Sequence, residues 1–117
     1  MTNKFDSEEA KNFLLAKEER EKQRREEERA ALLSKVIAIL EKEFRGSLVE
    51  VYLIGSILKP FGFSSRSDVD VVLKNYKEDR FDFWAKLERN LGRKVEIILF
   101  ETCPFQEFVL KEGFKVI

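Results

Sequence analysis

The run VYLIGSILKPFGFSSRSDVDVVL, residues 51–73, constrains the fold more than any other part of this chain. Its two apolar ends, residues 51–54 and 69–73, are rich in β-branched side chains and read as strands. The first delivers Gly55 and Ser56, and the second carries Asp68 and Asp70 two residues apart. Successive strand side chains point to opposite faces, so Asp68 and Asp70 project from one face while Val69, Val71 and Leu73 project from the other. Two carboxylates side by side repel. A hard divalent cation with oxygen ligands is the natural compensation.

What else the chain holds narrows the chemistry open to those carboxylates. At 117 residues it fits one small domain, part of it too polar to join a core. Lys plus Arg (22) equals Asp plus Glu (22), so no net basic field favours direct nucleic-acid binding. Histidine is absent, which removes the commonest general base, the Ser-His and Cys-His nucleophile pairs, and most structural zinc sites. Any catalysis must then run on carboxylates and metal. The single Cys103 excludes an intrachain disulfide, and no signal peptide or long apolar span is evident. A cytoplasmic protein without membrane contact is expected.

The organisation changes near Ala30, dividing the chain into a charged helical extension, residues 1–30, and a second unit, residues 31–117. Residues 17–29, KEEREKQRREEER, contain no apolar side chain but pair opposite charges at helical spacing, such as Glu21 with Arg24 and Arg25. The spacing predicts a solvated helix. Apolar a and d positions are too few for a sustained coiled coil, yet Phe13, Leu14 and Leu15 form a sticky cluster suited to a neighbouring protomer or partner. Beyond Ala30 the helix turns amphipathic, with Leu33, Val36, Ile37, Leu40 and Phe44 on one stripe and Gly46 as its stop.

Strands are predicted over residues 48–54, 68–73 and 94–100. A helix between the last two is capped by Asp79, buries Trp84, Leu87 and Leu91, and stops at Gly92. A short final helix opens at Cys103-Pro104 and closes at Gly113. The order implies an α/β (α+β) fold. In KVEIILF, Glu96 lies opposite Val95 and Ile97. Pairing of the third strand beside the second would bring Glu96 to Asp68 and Asp70; otherwise it sits on an exposed sheet face.

Gly55-Ser56 after the first strand, Asp68-Val69-Asp70 in the second and Glu96 in a later one together resemble the minimal nucleotidyltransferase (MNT) domain of the DNA polymerase beta superfamily. The resemblance covers roughly residues 36–117. The ending LFETCPFQEFVLKEGFKVI is similar to the leucine-glutamate, alanine-proline and lysine-glutamate-glycine landmarks of such domains. It implies a small nucleotidyltransferase fold, a mixed β-sheet flanked by helices. It also implies transfer of a nucleoside monophosphate, AMP from ATP, to an acceptor hydroxyl with release of pyrophosphate. Asp68, Asp70 and Glu96 would bind two Mg²⁺ ions, Glu96 completing the second site or acting as base, and Gly55 and Ser56 would hold the β and γ phosphates.

The Arg-Gly that many members carry after the Gly-Ser is here Ile57-Leu58-Lys59-Pro60, so Lys59 and Arg66 become the candidates for phosphate-facing charge. Phe61 and Phe63 are open to stacking on a base or to packing on the core. Relatives that append an acceptor-binding domain have no counterpart in this sequence, so the acceptor is expected on a partner. The stand-alone family implies an antitoxin that adenylylates a tyrosine of an all-helical HEPN ribonuclease toxin. Two alternatives stand beside it: a non-catalytic module that neutralises its partner by contact, and a small-molecule nucleotidyltransferase acting as a homo-oligomer.

Overall fold

The computed structural model describes residues 7–64 and 66–117. Among these the chain is α+β, with a four-stranded mixed sheet and three α-helices. Helix α1 spans Ser7–Phe44, β1 Glu50–Ile54, β2 Val69–Lys74, α2 Arg80–Leu91, β3 Val95–Leu99, α3 Gln106–Glu112 and β4 Phe114–Lys115. Short 3₁₀ turns at Ser56–Leu58 and Phe100–Thr102 follow β1 and β3. The strand order is β3-β2-β1-β4. β1 runs antiparallel to β2 and β4, whereas β2 and β3 are parallel, joined by a crossover through α2.

The period of two written in the strands divides the core. Val51, Leu53, Val69, Val71, Leu73 and Val95 face α1 and α2, where they meet Val36, Leu40, Phe44, Phe83, Leu87 and Leu91. Each such side chain, fully buried, contributes roughly 1.5–3 kcal/mol. Tyr52, Ile54 and Val72 face the other way, onto Phe100, Cys103 and Val109. This second cluster is small, so α3 covers only part of that face. Asp70 and Glu96 share the face with Val72 and Ile98, beyond this small apolar cluster.

Local signals explain the boundaries. The Asp79 side chain accepts from the Phe81 amide and caps α2, which ends on Gly92 in the left-handed region. Three bonds fix the start of β3: Trp84 Nε1 donates to the Val95 carbonyl at 2.7 Å, the Val95 amide donates to Glu88 at 2.9 Å, and the Val69 amide donates to the Lys94 carbonyl at 3.0 Å. Strand β2 begins at Val69 rather than Asp68, because Ser64 and Ser67 wind the preceding segment into turns. Pro104 likewise precedes α3, which starts at Gln106.

Helix α1 is continuous across the expected division near Ala30 and, at about 1.5 Å per residue, is a rod of roughly 57 Å. It accounts for the elongated shape, 73 × 29 × 20 Å. Phe13, Leu14 and Leu15 are exposed on it. The expectation of a wholly solvated stretch over residues 17–29 is corrected at its end: Arg29 is only 8 % exposed. It lies seven residues before Val36 and so continues the stripe of Val36, Leu40 and Phe44. Among the described residues, no helix is long and apolar enough to cross a membrane.

Candidate functional site

The site forms where the end of β1 meets the starts of β2 and β3. Ile54 pairs with Asp70, and Asp70 pairs with Glu96 in the parallel ladder. Because paired residues point to the same face, the two carboxyl groups are neighbours by construction. Asp68 sits just ahead of β2, exposed at the lip of the same site. The sequence expectation that the third strand lies beside the second, with Glu96 at Asp70, agrees with this register.

The carboxylates there repel one another. Burial, the charges of Glu96 and Asp68, and a hydrogen bond with Glu96 push the Asp70 carboxyl up to about 6. Among the described residues, no lysine or arginine forms an ion pair with Asp68, Asp70 or Glu96. The opposite end of the sheet differs: Glu50 is flanked by Lys74 at 3.6 Å and Lys115 at 3.0 Å. Charge is matched at one end and stacked at the other.

Gly55 brings the turn after β1 against these acids. Its φ of 88° lies where side chains are rarely tolerated, and a Cβ there would stand 2.7 Å from Asp70 Oδ2. Ser56 follows at once and opens the 3₁₀ turn, whose Leu58 and Lys59 amides donate to the Gly55 and Ser56 carbonyls. Backbone and hydroxyl donors thus stand beside a carboxylate cluster.

An open cleft of about 620 Å³ adjoins Gly55, lined by Leu58 and Lys59 on one side and by Glu107, Phe108, Lys111 and Glu112 of α3 on the other. Lys59 therefore lies at the site, whereas Arg66 does not line this cleft. A larger cleft, about 720 Å³, lies at the far end of the sheet around Glu43, Tyr76 and Glu78. It is remote from the acids and from Gly55, which the smaller cleft adjoins. Phe63 is buried beneath the Arg93 guanidinium, 4.4 Å from its ring centre, while Phe61 is exposed. Core packing therefore claims Phe63.

Sequence reasoning missed Phe108, Lys111 and Arg93. Arg93 Nη2 donates to the carbonyls of Ser64 at 2.6 Å and Ser67 at 3.3 Å, so it ties the segment leading to Asp68 onto the start of β3. Nothing in its spacing marks it. Phe108 and Lys111 sit four and one residues ahead of Glu112-Gly113, within the landmark segment already noted, and only the packing of α3 beside Gly55 gives them a place.

The donor set suits a hard divalent cation, being all oxygen and, among the described residues, without an ion pair to Lys or Arg. The cage is not closed, however: among the described residues, no three acidic, histidine or cysteine side chains already converge to hold a metal ion. Mg²⁺ commonly uses one or two carboxylates and completes its shell with water and substrate phosphates. In comparisons with known proteins, no family model, no curated protein and no solved structure matches this chain.

Proposed function

We propose that the chain is a cytoplasmic, metal-dependent nucleotidyltransferase that moves a nucleoside monophosphate, AMP from ATP, onto a hydroxyl of a partner protein. The observation that carries this reading is the in-register Asp70–Glu96 pair, which among the described residues has no ion pair with Lys or Arg and whose Asp70 lies against the positive-φ Gly55. A phosphate-approach turn and an acidic pair in contact suit one ligand, an anionic triphosphate that arrives with cations.

In this reading the residues divide the work. Gly55 lets phosphate oxygens come close to the backbone, and the Ser56 amide and hydroxyl donate to them. Lys59 and Lys111, on opposite walls of the cleft, add positive charge, and Phe108 offers a ring face to the base. Asp68, Asp70 and Glu96 would hold Mg²⁺, which when bound supplies charge neutralisation along the triphosphate. The acceptor oxygen bonds to the α-phosphorus and gives its proton to a carboxylate of the cluster at Glu96. The bond from the α-phosphorus to the bridging oxygen breaks, and pyrophosphate leaves. Positioning and charge stabilisation suffice for such a transfer, so the lack of histidine is no obstacle.

The partner that the resemblance suggests is a HEPN-type helical ribonuclease, with this chain as its antitoxin. Incubating ATP labelled at the α-phosphate with Mg²⁺, this chain and such a partner should move label onto the partner. An Asp68→Asn, Asp70→Asn variant should transfer none. Label that stays on nucleotide while the pair still binds and silences the partner would overturn transfer in favour of neutralisation by contact. That second reading draws on the unclosed acidic cage.

A further inference from the structure

Near the middle of α1, where its charged stretch ends, two side chains reach into the loop after Gly55. Arg29 Nη1 donates to the Ile57 carbonyl at 2.6 Å, and its Nε and Nη2 donate to the two Glu26 carboxylate oxygens at 2.9 and 2.6 Å. Glu26 Oε2 in turn accepts the Phe61 amide at 2.8 Å. One fork-to-carboxylate pair on the helix thus grips the loop at both ends, residues 57 and 61. Such bidentate, charge-assisted bonds are the strongest and most directional that side chains make.

The grip falls where the loop needs it. Phe61 has a φ of 62°, a conformation disfavoured for a bulky residue, so it persists only where its surroundings hold it. Between the two anchors the backbone turns tightly, with Lys59 donating to Ser56 and Gly62 to Lys59. Exposed Phe61 adds no buried apolar contact to steady that turn. The buried Ile57 side chain anchors the first end of the turn, so at the Phe61 end the hydrogen bond to Glu26 is what holds it.

We propose that Glu26 and Arg29 are positioning residues that hold residues 56–61 in the conformation that receives the triphosphate. This rests on the nucleotide reading above. The pair touches neither ligand nor acids and acts through the loop. A loop that is pre-formed binds without an ordering penalty; a loose one lowers the apparent affinity by the fraction of time it is competent. The same linkage makes α1 a rod fixed to the site, so a protein that binds its exposed charged half can shift the loop.

Hydrogen exchange and Mg²⁺-ATP calorimetry on the full chain test this together. In Glu26→Ala, the amides of Leu58, Lys59, Phe61 and Gly62 should exchange faster, those of β1 and β2 should be unchanged, and Kd should rise roughly tenfold, as expected for one charge-assisted bond. Arg29→Lys keeps the charge but not the fork and should reproduce both changes. Glu26→Gln, which still accepts the Phe61 amide, should fall between. Equal loss of protection across the sheet would make the pair a general stabiliser and overturn the proposal. So would faster loop exchange at unchanged Kd. If the unaltered chain binds no nucleotide, the positioning role falls with the nucleotide reading, while the exchange data still judge the clamp by itself.

Discussion

Replacing Asp70 by Asn should make the metal-free protein more stable at pH 8. Burial beside Glu96 and Asp68 raises this carboxyl from 3.8 to about 6. Two units correspond to about 3 kcal/mol between its protonated and charged forms. The group remains partly open to solvent, and screening roughly halves that figure, to about 1–1.5 kcal/mol. Because the folded chain holds the proton more tightly than the unfolded chain, this contribution is complete below about 3.8 and is lost as pH rises through about 6. Asn removes the titration. With a chelator present, variant and parent should melt together near pH 4, and at pH 8 the variant should melt roughly 4–6 °C higher. The single Trp84, bonded to Val95 beneath β3, reports unfolding by fluorescence. Equal or lower stability of the variant at pH 8 would refute the claim that this sheet end is strained by like charges. Adding Mg²⁺ at pH 8 should close most of the gap by stabilising the parent more than the variant.

Two further perturbations probe the surroundings of the cluster. Gly55→Ala places a Cβ against Asp70 at a positive φ, so it should lower unfolding stability by about 1–3 kcal/mol and abolish nucleotide binding; a neutral effect in urea titration would show that turn and acid are not in contact. Lys111→Ala and Phe108→Ala alter exposed side chains, so each should leave stability within about 0.5 kcal/mol while raising the Mg²⁺-ATP Kd. Unchanged calorimetric affinity in both would place the ligand outside the cleft beside α3.

Much of this arrangement is legible in the sequence because it rests on period and punctuation. Alternation in VYLI and VDVVL assigns Leu53 and Val71 to one face and Asp70 to the other, and Asp79 and Gly92 bracket α2 by local chemistry alone. Glu96 could be linked to Asp70 only by supposing that β3 lies beside β2, a tertiary fact that alternation does not contain. Arg29 shows the limit more sharply. A stretch of charges without an apolar residue reads as solvated, yet its guanidinium is buried because the Ile57 carbonyl and Glu26 satisfy it. Its place one heptad before Val36 was the available signal. Phe108 and Lys111 gain meaning only from how α3 folds back beside Gly55, and side-chain spacing does not encode that.

Calorimetric titration of ATP with Mg²⁺ into the full chain, beside the Asp68→Asn, Asp70→Asn double variant, addresses the nucleotide site itself. The account predicts binding by the parent that needs the divalent ion and disappears in the variant, whose fold survives. No heat of binding at millimolar ATP, or equal binding by both proteins, would contradict it.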